Sequence, residues 1–369
     1  MSGADTHLDN DTRFMTLALA LGRRGVGRVW PNPAVGAVIV KDGVVVGRGW
    51  TQPGGRPHAE TEALRRAGDA ARGATMYVTL EPCSHHGKTP PCADAIIAAG
   101  VVRVVSALED PNPEVAGEGH ARLRAAGIAV DVGIGAQEAR RDHAGHIRRM
   151  RDGRPHVMLK LAISADGKAA AAGQKPIVIT GDAARARVHL MRAQSDAIMI
   201  GIGTALSDDP LLTCRLPGMG NTSPVRVVLD SAFRLPLTGR LVKSAREVPV
   251  WVIGAADAPR ATEEALRDQG VEVLRGPGSG GRLELSAVLK LLAERGITRL
   301  MVEGGPALAS ALLGADLVDE AQLFHSLKTV GGEGIDALDA NAAAALSRQL
   351  KSAGSEPMGP DRLDSYQRG

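Results

Sequence analysis

Aromatic residues make up only 2% of this 369-residue chain: three Phe, three Trp and two Tyr. The cores must then be built from Ala, Val, Leu and Ile. A surface that grips single-stranded nucleic acid by stacking bases on rings has almost nothing to stack with. Charge of one sign is scarce too. The 44 Lys and Arg stand against 41 Asp and Glu, a formal net charge of +3. That argues against a general nucleic-acid-coating surface while leaving room for a local anion pocket. Three cysteines, Cys83, Cys92 and Cys214, are too few for a disulfide framework and point to a reducing cytoplasm. No apolar run approaches the ~20 residues that span a bilayer. The first eleven residues are polar and acidic, with no apolar signal segment. There is no internal repeat. The second half has no G-x-G-x-x-G after its first strand, so the ordinary dinucleotide fingerprint is missing.

What is present is His58-Ala59-Glu60, then Pro82-Cys83, then Pro91-Cys92. One imidazole and two thiolates make three protein ligands. They leave the fourth position of a tetrahedral zinc ion open for water, as in a catalytic site. Such a water ionises near neutral pH. Nucleobase deaminases carry this H-x-E … P-C … C pattern, in which the Glu moves protons and does not bind metal. A lone His or Cys is more often a core residue. Two cysteines, each following a proline in one Gly/Pro-rich turn, together with the H-A-E triplet, are much more specific. A structural zinc site remains the alternative, because His85 or His86 could supply a fourth ligand.

The length favours two domains. In the first half, residues 14–24 carry apolar positions at helical spacing. Residues 35–40 and 44–49 flank Lys41-Asp42-Gly43, a hairpin signal. Helices are predicted over 59–67, 92–99 and 118–126, and strands over 75–80 and 101–108. This reads as a sheet with helices on its faces. A single basic helix is predicted over 136–151. The Gly/Pro break after it sets a domain boundary near residue 152. The second half alternates strands (157–163, 197–200, 225–230, 248–253, 271–274, 299–302, 320–323) with helices (182–194, 261–268, 285–294, 306–312). That is an α/β domain with a mostly parallel sheet. Residues 275–282 read as a Gly-rich mobile loop.

Two glycine-containing strand ends stand out in this half: Gly201-Ile202-Gly203-Thr204 and Glu303-Gly304-Gly305-Pro306. Each alone is more often just a turn. Together they suggest a nucleotide or sugar-phosphate site beyond the carboxyl ends of the strands. Arg192 and Arg215 are the candidate phosphate partners.

Taken together, these motifs resemble the bifunctional riboflavin-biosynthesis enzymes, a pyrimidine deaminase fused to a pyrimidine-ribosyl reductase. The resemblance runs from about Phe14 to about Gly334. It rests on Pro31-Asn32-Pro33-Ala34-Val35-Gly36, on His58-Ala59-Glu60, and on the run from Leu80-Glu81-Pro82-Cys83 to Pro91-Cys92, whose eight-residue gap differs from that of cytidine and tRNA deaminases. In the second half it rests on Lys160-Leu161-Ala162-Ile163-Ser164-Ala165-Asp166-Gly167-Lys168, on Leu190-Met191-Arg192-Ala193-Gln194-Ser195-Asp196, on Asp208-Asp209-Pro210-Leu211-Leu212-Thr213 and on Glu303-Gly304-Gly305-Pro306.

The resemblance implies an α/β protein. A cytidine-deaminase-like domain would occupy residues 1–151 and a dihydrofolate-reductase-like domain residues 152–369. It implies Zn2+ and NADPH. The substrate would be a diaminopyrimidinone carrying a ribosylamino 5′-phosphate, and the chain would form a homo-oligomer, with no nucleic acid or membrane as partner. It implies zinc held by His58, Cys83 and Cys92, with Glu60 as the catalytic proton carrier. Asn32, His85 and Lys88 would contact the deaminase substrate. Arg192, Leu212, Arg215 and Glu303 would contact the reductase substrate. Ala162, Thr204, Asp208, Ser231 and the turn beginning at Gly305 would contact the cofactor. Three positions depart from the family pattern: Thr51 replaces a histidine facing the deaminase substrate, and Pro176 and Val178 replace a Ser and a Trp near the reductase ligands. Two rival readings follow: a nucleoside or tRNA deaminase with an unrelated partner domain, or an active deaminase whose reductase-like domain is retained for binding or oligomerisation.

Overall fold

The computed structural model describes residues 3–85, 90–113, 115–171, 177–279 and 281–369. The chain divides into two compact units, Met1–Gly153 and Arg154–Gly369.

The first unit runs α1 (Gly3–Gly22), β1 (Gly36–Lys41), β2 (Val44–Trp50), α2 (Ala59–Ala67), β3 (Thr75–Val78), α3 (Cys92–Ala98), β4 (Arg103–Ser106), α4 (Glu118–Ala125), β5 (Ala129–Val132), α5 (Ala136–Asp142) and α6 (Ala144–Asp152). Its sheet has the order β2-β1-β3-β4-β5. β1 is antiparallel to β2 and β3, and β3, β4 and β5 run parallel. The β1–β2 hairpin closes through Asp42 and Gly43, with φ of 50° and 77° and Lys41 paired to Val44. Two positive φ values in a two-residue loop match the strand twist, which is why Asp-Gly is favoured there.

Three features of this unit differ from the sequence reading. α1 begins about three turns before the apolar pattern does, and its Asp11 is buried. The Asp11 carboxylate accepts from the Tyr77 hydroxyl at 2.6 Å and from both Arg103 guanidinium nitrogens at 2.8 Å. Strand β5 was not predicted, because it is a four-residue edge strand, mostly exposed and without apolar alternation. The basic helix expected over 136–151 is two helices. They break at His143, whose buried ring sets Nε2 3.1 Å from Thr79 Oγ1.

The second unit begins with β6 (His156–Ile163), β7 (Lys168–Ala170), α7 (Asp182–Ala193), β8 (Ala197–Gly201), α8 (Ile202–Asp208), β9 (Val225–Leu229), α9 (Arg240–Lys243), β10 (Val250–Ala255), α10 (Arg260–Asp268) and β11 (Glu272–Gly276). It continues with β12 (Gly278–Ser279), β13 (Arg282–Leu283), α11 (Leu285–Glu294), β14 (Arg299–Val302), α12 (Pro306–Gly314), β15 (Glu320–His325), β16 (Ile335–Asp336), α13 (Ala340–Gln349), β17 (Leu350–Met358) and β18 (Asp361–Arg368). Nine strands form one sheet in the order β11-β10-β9-β8-β14-β6-β15-β18-β17. The seven strands from β11 to β15 are parallel, and β18 and β17 add antiparallel to that edge. The segment after Gly334, which carries no legible strand pattern, therefore builds a helix and two long strands. β17 is exposed at six of its nine positions and buried only at Leu350, so burial leaves little mark on its sequence. In the stretch read as a loop over 275–282, Arg275 and Gly276 end β11, and Gly278–Ser279 pairs antiparallel with Arg282–Leu283. No described helix is long and apolar enough to cross a membrane.

Candidate active sites

In the first unit, the sheet sets the amino ends of two helices side by side. His58 is the extended residue that precedes α2, and Glu60 lies in that helix's first turn. Cys92 opens α3 after Pro91, and Cys83 lies in the loop beyond β3. His58 Nδ1 stands 3.8 Å from Cys83 Sγ and 3.4 Å from Cys92 Sγ. A tetrahedral zinc with ordinary Zn–N and Zn–S lengths puts such atoms roughly 3.5 Å apart. The donor set and its spacing therefore fit the ion. No fourth His, Cys or carboxylate of the described residues joins this group. His85 is exposed and stands apart from it, and His86 lies outside the described residues.

The electrostatics suit thiolate ligation. The Cys92 backbone N–H donates to Cys83 Sγ at 3.2 Å. A hydrogen bond from the Cys92 thiol, with help from His58, holds Cys83 down at about 4. The same bond, with burial, pushes the Cys92 thiol up. The helix amino ends also favour negative sulfur. Glu60 is 3% exposed and is pushed up to about 7, chiefly by burial, against the opposing pull of His58.

Glu81, Glu109 and His120 form a second group with metal-like spacing. The oxygens of Glu81 are already committed. One accepts from the backbone N–H groups of Asp110 and Gly117 at 3.0 Å; the other accepts from Gly119 at 2.8 Å and His120 at 3.2 Å. Glu81 is thus a brace that ties the 110–120 segment to the Pro82-Cys83 loop. Packing there is tight, since a Cβ on Gly119 would lie 2.0 Å from the Pro82 carbonyl oxygen. Sequence reasoning assigned Glu81 no task, and its place directly before Pro82-Cys83 was the available signal.

Of the residues expected at the deaminase substrate, Asn32 is half-buried and its amide donates to the Gly55 carbonyl at 2.6 Å. His85 is exposed beside the metal loop. Lys88 lies outside the described residues. Thr51 is 2% exposed. Its hydroxyl donates to the Pro33 carbonyl and accepts from the Val35 N–H, both at 3.0 Å. Thr51 therefore braces the loop that carries Asn32.

In the second unit the two glycine-containing strand ends meet. β6, β8 and β14 are neighbours in the sheet, and their carboxyl ends open into a cavity of about 400 Å3. Ala162, Thr204, Asp208, Gly305 and Glu303 all line it. α12 starts here with Gly305 before it and Pro306 in its first turn. The Gly305 N–H donates to Thr204 Oγ1 at 3.2 Å, which locks the two turns together. A helix amino end on a glycine turn fits a phosphate group, and a Cβ at Gly201 would meet open space. The residues present thus fit a dinucleotide. Ser231 is not among the lining residues. Neither are Arg192, Leu212 and Arg215, but Arg192 grips Glu303 through two bonds of 2.7 and 2.8 Å. Val178 is 60% exposed, and the wall at that point is formed by Ile177, not by a flat aromatic ring. Pro176 lies outside the described residues. Lys160 also lines the cavity, and burial lowers its pKa against the raising pull of Glu303. Sequence reasoning gave Lys160 no role; the available signal was a lone charge inside the apolar strand Val157-Met158-Leu159-Lys160-Leu161.

A family model for the RibD C-terminal domain matches residues 155–363. A model for the cytidine and deoxycytidylate deaminase zinc-binding region matches residues 8–108. Riboflavin biosynthesis protein RibD of Escherichia coli is 43% identical over 364 residues, covering 95% of this chain and 97% of that protein. Its counterpart from Aquifex aeolicus is 41% identical, covering 87% and 88%. Among solved structures, Acinetobacter baumannii RibD has a TM-score of 0.88 at 37% identity, covering 98% of this chain and 99% of that one. A diaminohydroxyphosphoribosylaminopyrimidine deaminase/5-amino-6-(5-phosphoribosylamino)uracil reductase from Thermotoga maritima has a TM-score of 0.85 at 35% identity, covering 98% and 100%.

Proposed function

The chain belongs to the RibD family of riboflavin-biosynthesis proteins, and on that premise we propose which of its residues carry the family's two reactions. It is a bifunctional enzyme, a zinc-dependent deaminase and an NADPH-dependent reductase. The deaminase replaces the ring 2-amino group of the diaminopyrimidinone ribosylamino 5′-phosphate by oxygen. The reductase converts the ribosyl group to ribityl.

The deaminase reading is carried by the His58, Cys83 and Cys92 triangle with Glu60 buried against it. Bound zinc supplies a Lewis acid that lets water ionise near neutral pH. Glu60 would take one proton from the attacking water and give it to a ring nitrogen, then carry the second proton, from the hydroxyl so formed, to the leaving amine. Burial keeps the proton affinity of this carboxyl near neutrality, as that role requires. Asn32, His85 and Lys88 orient the pyrimidine.

The reductase reading is carried by the single cavity where Ala162, Thr204, Asp208, Gly305 and Glu303 converge. NADPH supplies the hydride when bound, and the protein supplies orientation. Ser231 belongs with this cofactor set. Arg192 holds Glu303 in place, and the half-buried Lys160 ammonium lies in the same cavity. Arg215 is exposed and, among the described residues, forms no ion pair, which leaves its guanidinium available to the 5′-phosphate; Leu212 shapes the same loop. An open cavity with these groups in it favours an active reductase over a retained binding domain. The test is product analysis after incubating the full-length protein with the diaminopyrimidinone substrate. Without NADPH the deaminated ribosyl compound should accumulate, and with NADPH the ribityl compound. Deamination with no NADPH oxidation would overturn the reductase half.

We further place the enzyme in the cytoplasm as a homo-oligomer acting on this small phosphorylated pyrimidine, with no nucleic acid as partner. A fragment ending at residue 152 should fold, bind zinc and deaminate, because the first unit holds its own sheet and all three ligands. Zinc content and deaminase assays on that fragment check this boundary. Arg215→Ala should raise the KM for the phosphorylated reductase substrate by about 100-fold and leave that for NADPH nearly unchanged, since a charge-assisted phosphate contact is lost. Steady-state NADPH oxidation measures both.

A further inference from the structure

We propose that His189 is a positioning residue of the reductase, one that aims Arg215 at the substrate's phosphate and so helps the enzyme select phosphorylated over phosphate-free substrate. The inference rests on the reading that Arg215 takes that phosphate.

His189 and Arg192 lie three residues apart on α7, so they share one face of the helix. Both reach the same backbone atom. His189 Nδ1 lies 3.1 Å from the Thr213 carbonyl oxygen, and Arg192 Nη1 donates to that oxygen at 3.1 Å. The Arg215 backbone N–H points at His189 Nδ1 from 3.3 Å. The segment they hold belongs to no helix or strand. It enters through Leu212, whose φ of 56° is a left-handed conformation unusual for a side chain of its size. It is pinned again where the Cys214 N–H donates to Ser223 Oγ at 3.1 Å. Its path is therefore set by side-chain tethers, and the tether next to Arg215 is His189.

Charge makes that tether matter. Arg192 is ion-paired with Glu303, whereas Arg215 has no ion-pair partner among the described residues. The Arg215 side chain has one weak contact, Nη1 to Thr213 Oγ1 at 3.4 Å. A guanidinium recognises phosphate through paired, directional bonds, so its aim decides its contribution. Burial together with Arg192 and Arg215 lowers the His189 pKa against the weaker raising influences of Thr213 and Glu303. In the neutral ring with the proton on Nε2, Nδ1 accepts from the Arg215 N–H, and the Thr213 carbonyl oxygen takes its hydrogen bond from Arg192 Nη1.

The experiment compares full-length wild type with His189→Ala, His189→Asn, His189→Gln and Arg215→Ala. NADPH oxidation is followed with the deaminated 5′-phosphate substrate and with its phosphate-free counterpart. His189→Ala should raise the KM for the phosphorylated substrate about tenfold. Its kcat, its KM for NADPH and its kinetics on the phosphate-free compound should stay within about twofold. His189→Asn keeps a polar group near the Nδ1 position and should recover most of the loss, whereas His189→Gln, which mimics Nε2, should not. Equal losses on both substrates would mean a general structural role and overturn the proposal. So would rescue by Gln in place of Asn, which would put Nε2 directly on the phosphate. If Arg215→Ala discriminates between the substrates and His189→Ala does not, His189 has no part in aiming it. If Arg215→Ala fails to discriminate, the phosphate assignment itself falls and takes this inference with it.

Discussion

Glu60→Gln should leave zinc content at the wild-type level and cut deamination by ~10²–10⁴-fold or more. Gln keeps the shape of the side chain and puts no charge into a site that is 3% exposed, so folding is not threatened. It cannot take a proton from water or return one to the leaving amine. The metal triangle of His58, Cys83 and Cys92 does not include Glu60, so its geometry should survive. Metal analysis and deamination assays on one preparation separate the two effects, and NADPH oxidation with the deaminated substrate should stay normal. Loss of zinc, or turnover near the wild-type rate, would show that Glu60 has another role.

Cys83→Ser and Cys92→Ser should each lower zinc affinity by at least about 100-fold and abolish deamination in step with it. A serine hydroxyl does not ionise under conditions in which Cys83 is already a thiolate. Without that negative sulfur, a half-buried His58 and one remaining thiol make a poor site for a dication. Cys214→Ser is the control. Cys214 is 3% exposed in the second unit and belongs to no metal-like group. Its replacement should cost at most a little reductase stability and leave zinc and deamination unchanged. Chelator competition measures the affinities, and equal zinc loss in the Cys214 variant would mean that the ligands are misassigned.

The metal site was legible in the sequence because its residues come from two short segments whose spacing the chemistry constrains. The reductase cavity was only half legible. Both glycine turns could be found, but nothing in a linear sequence says that β8 and β14 are neighbours, so their convergence had to come from the sheet order. The pairing of Arg192 with Glu303 was hidden for the same reason, since the two lie 111 positions apart in the chain. Burial patterning failed where there was little burial to record, at β5 and β17. The early part of α1 was missed because polar residues lead into it. The break at His143 was missed because a buried histidine looks, in sequence, like one more polar position of a basic helix.

Gly119 illustrates how a screen for inactive variants can mislead. Any side chain there would push against Pro82, and Pro82 is bonded to the ligand Cys83. Random mutagenesis scored by metal content should therefore flag a position that touches no metal and sits well away in the chain from every ligand. The crowding is against a backbone carbonyl, so no change of side chain at Pro82 would make room, and the turn itself would have to move.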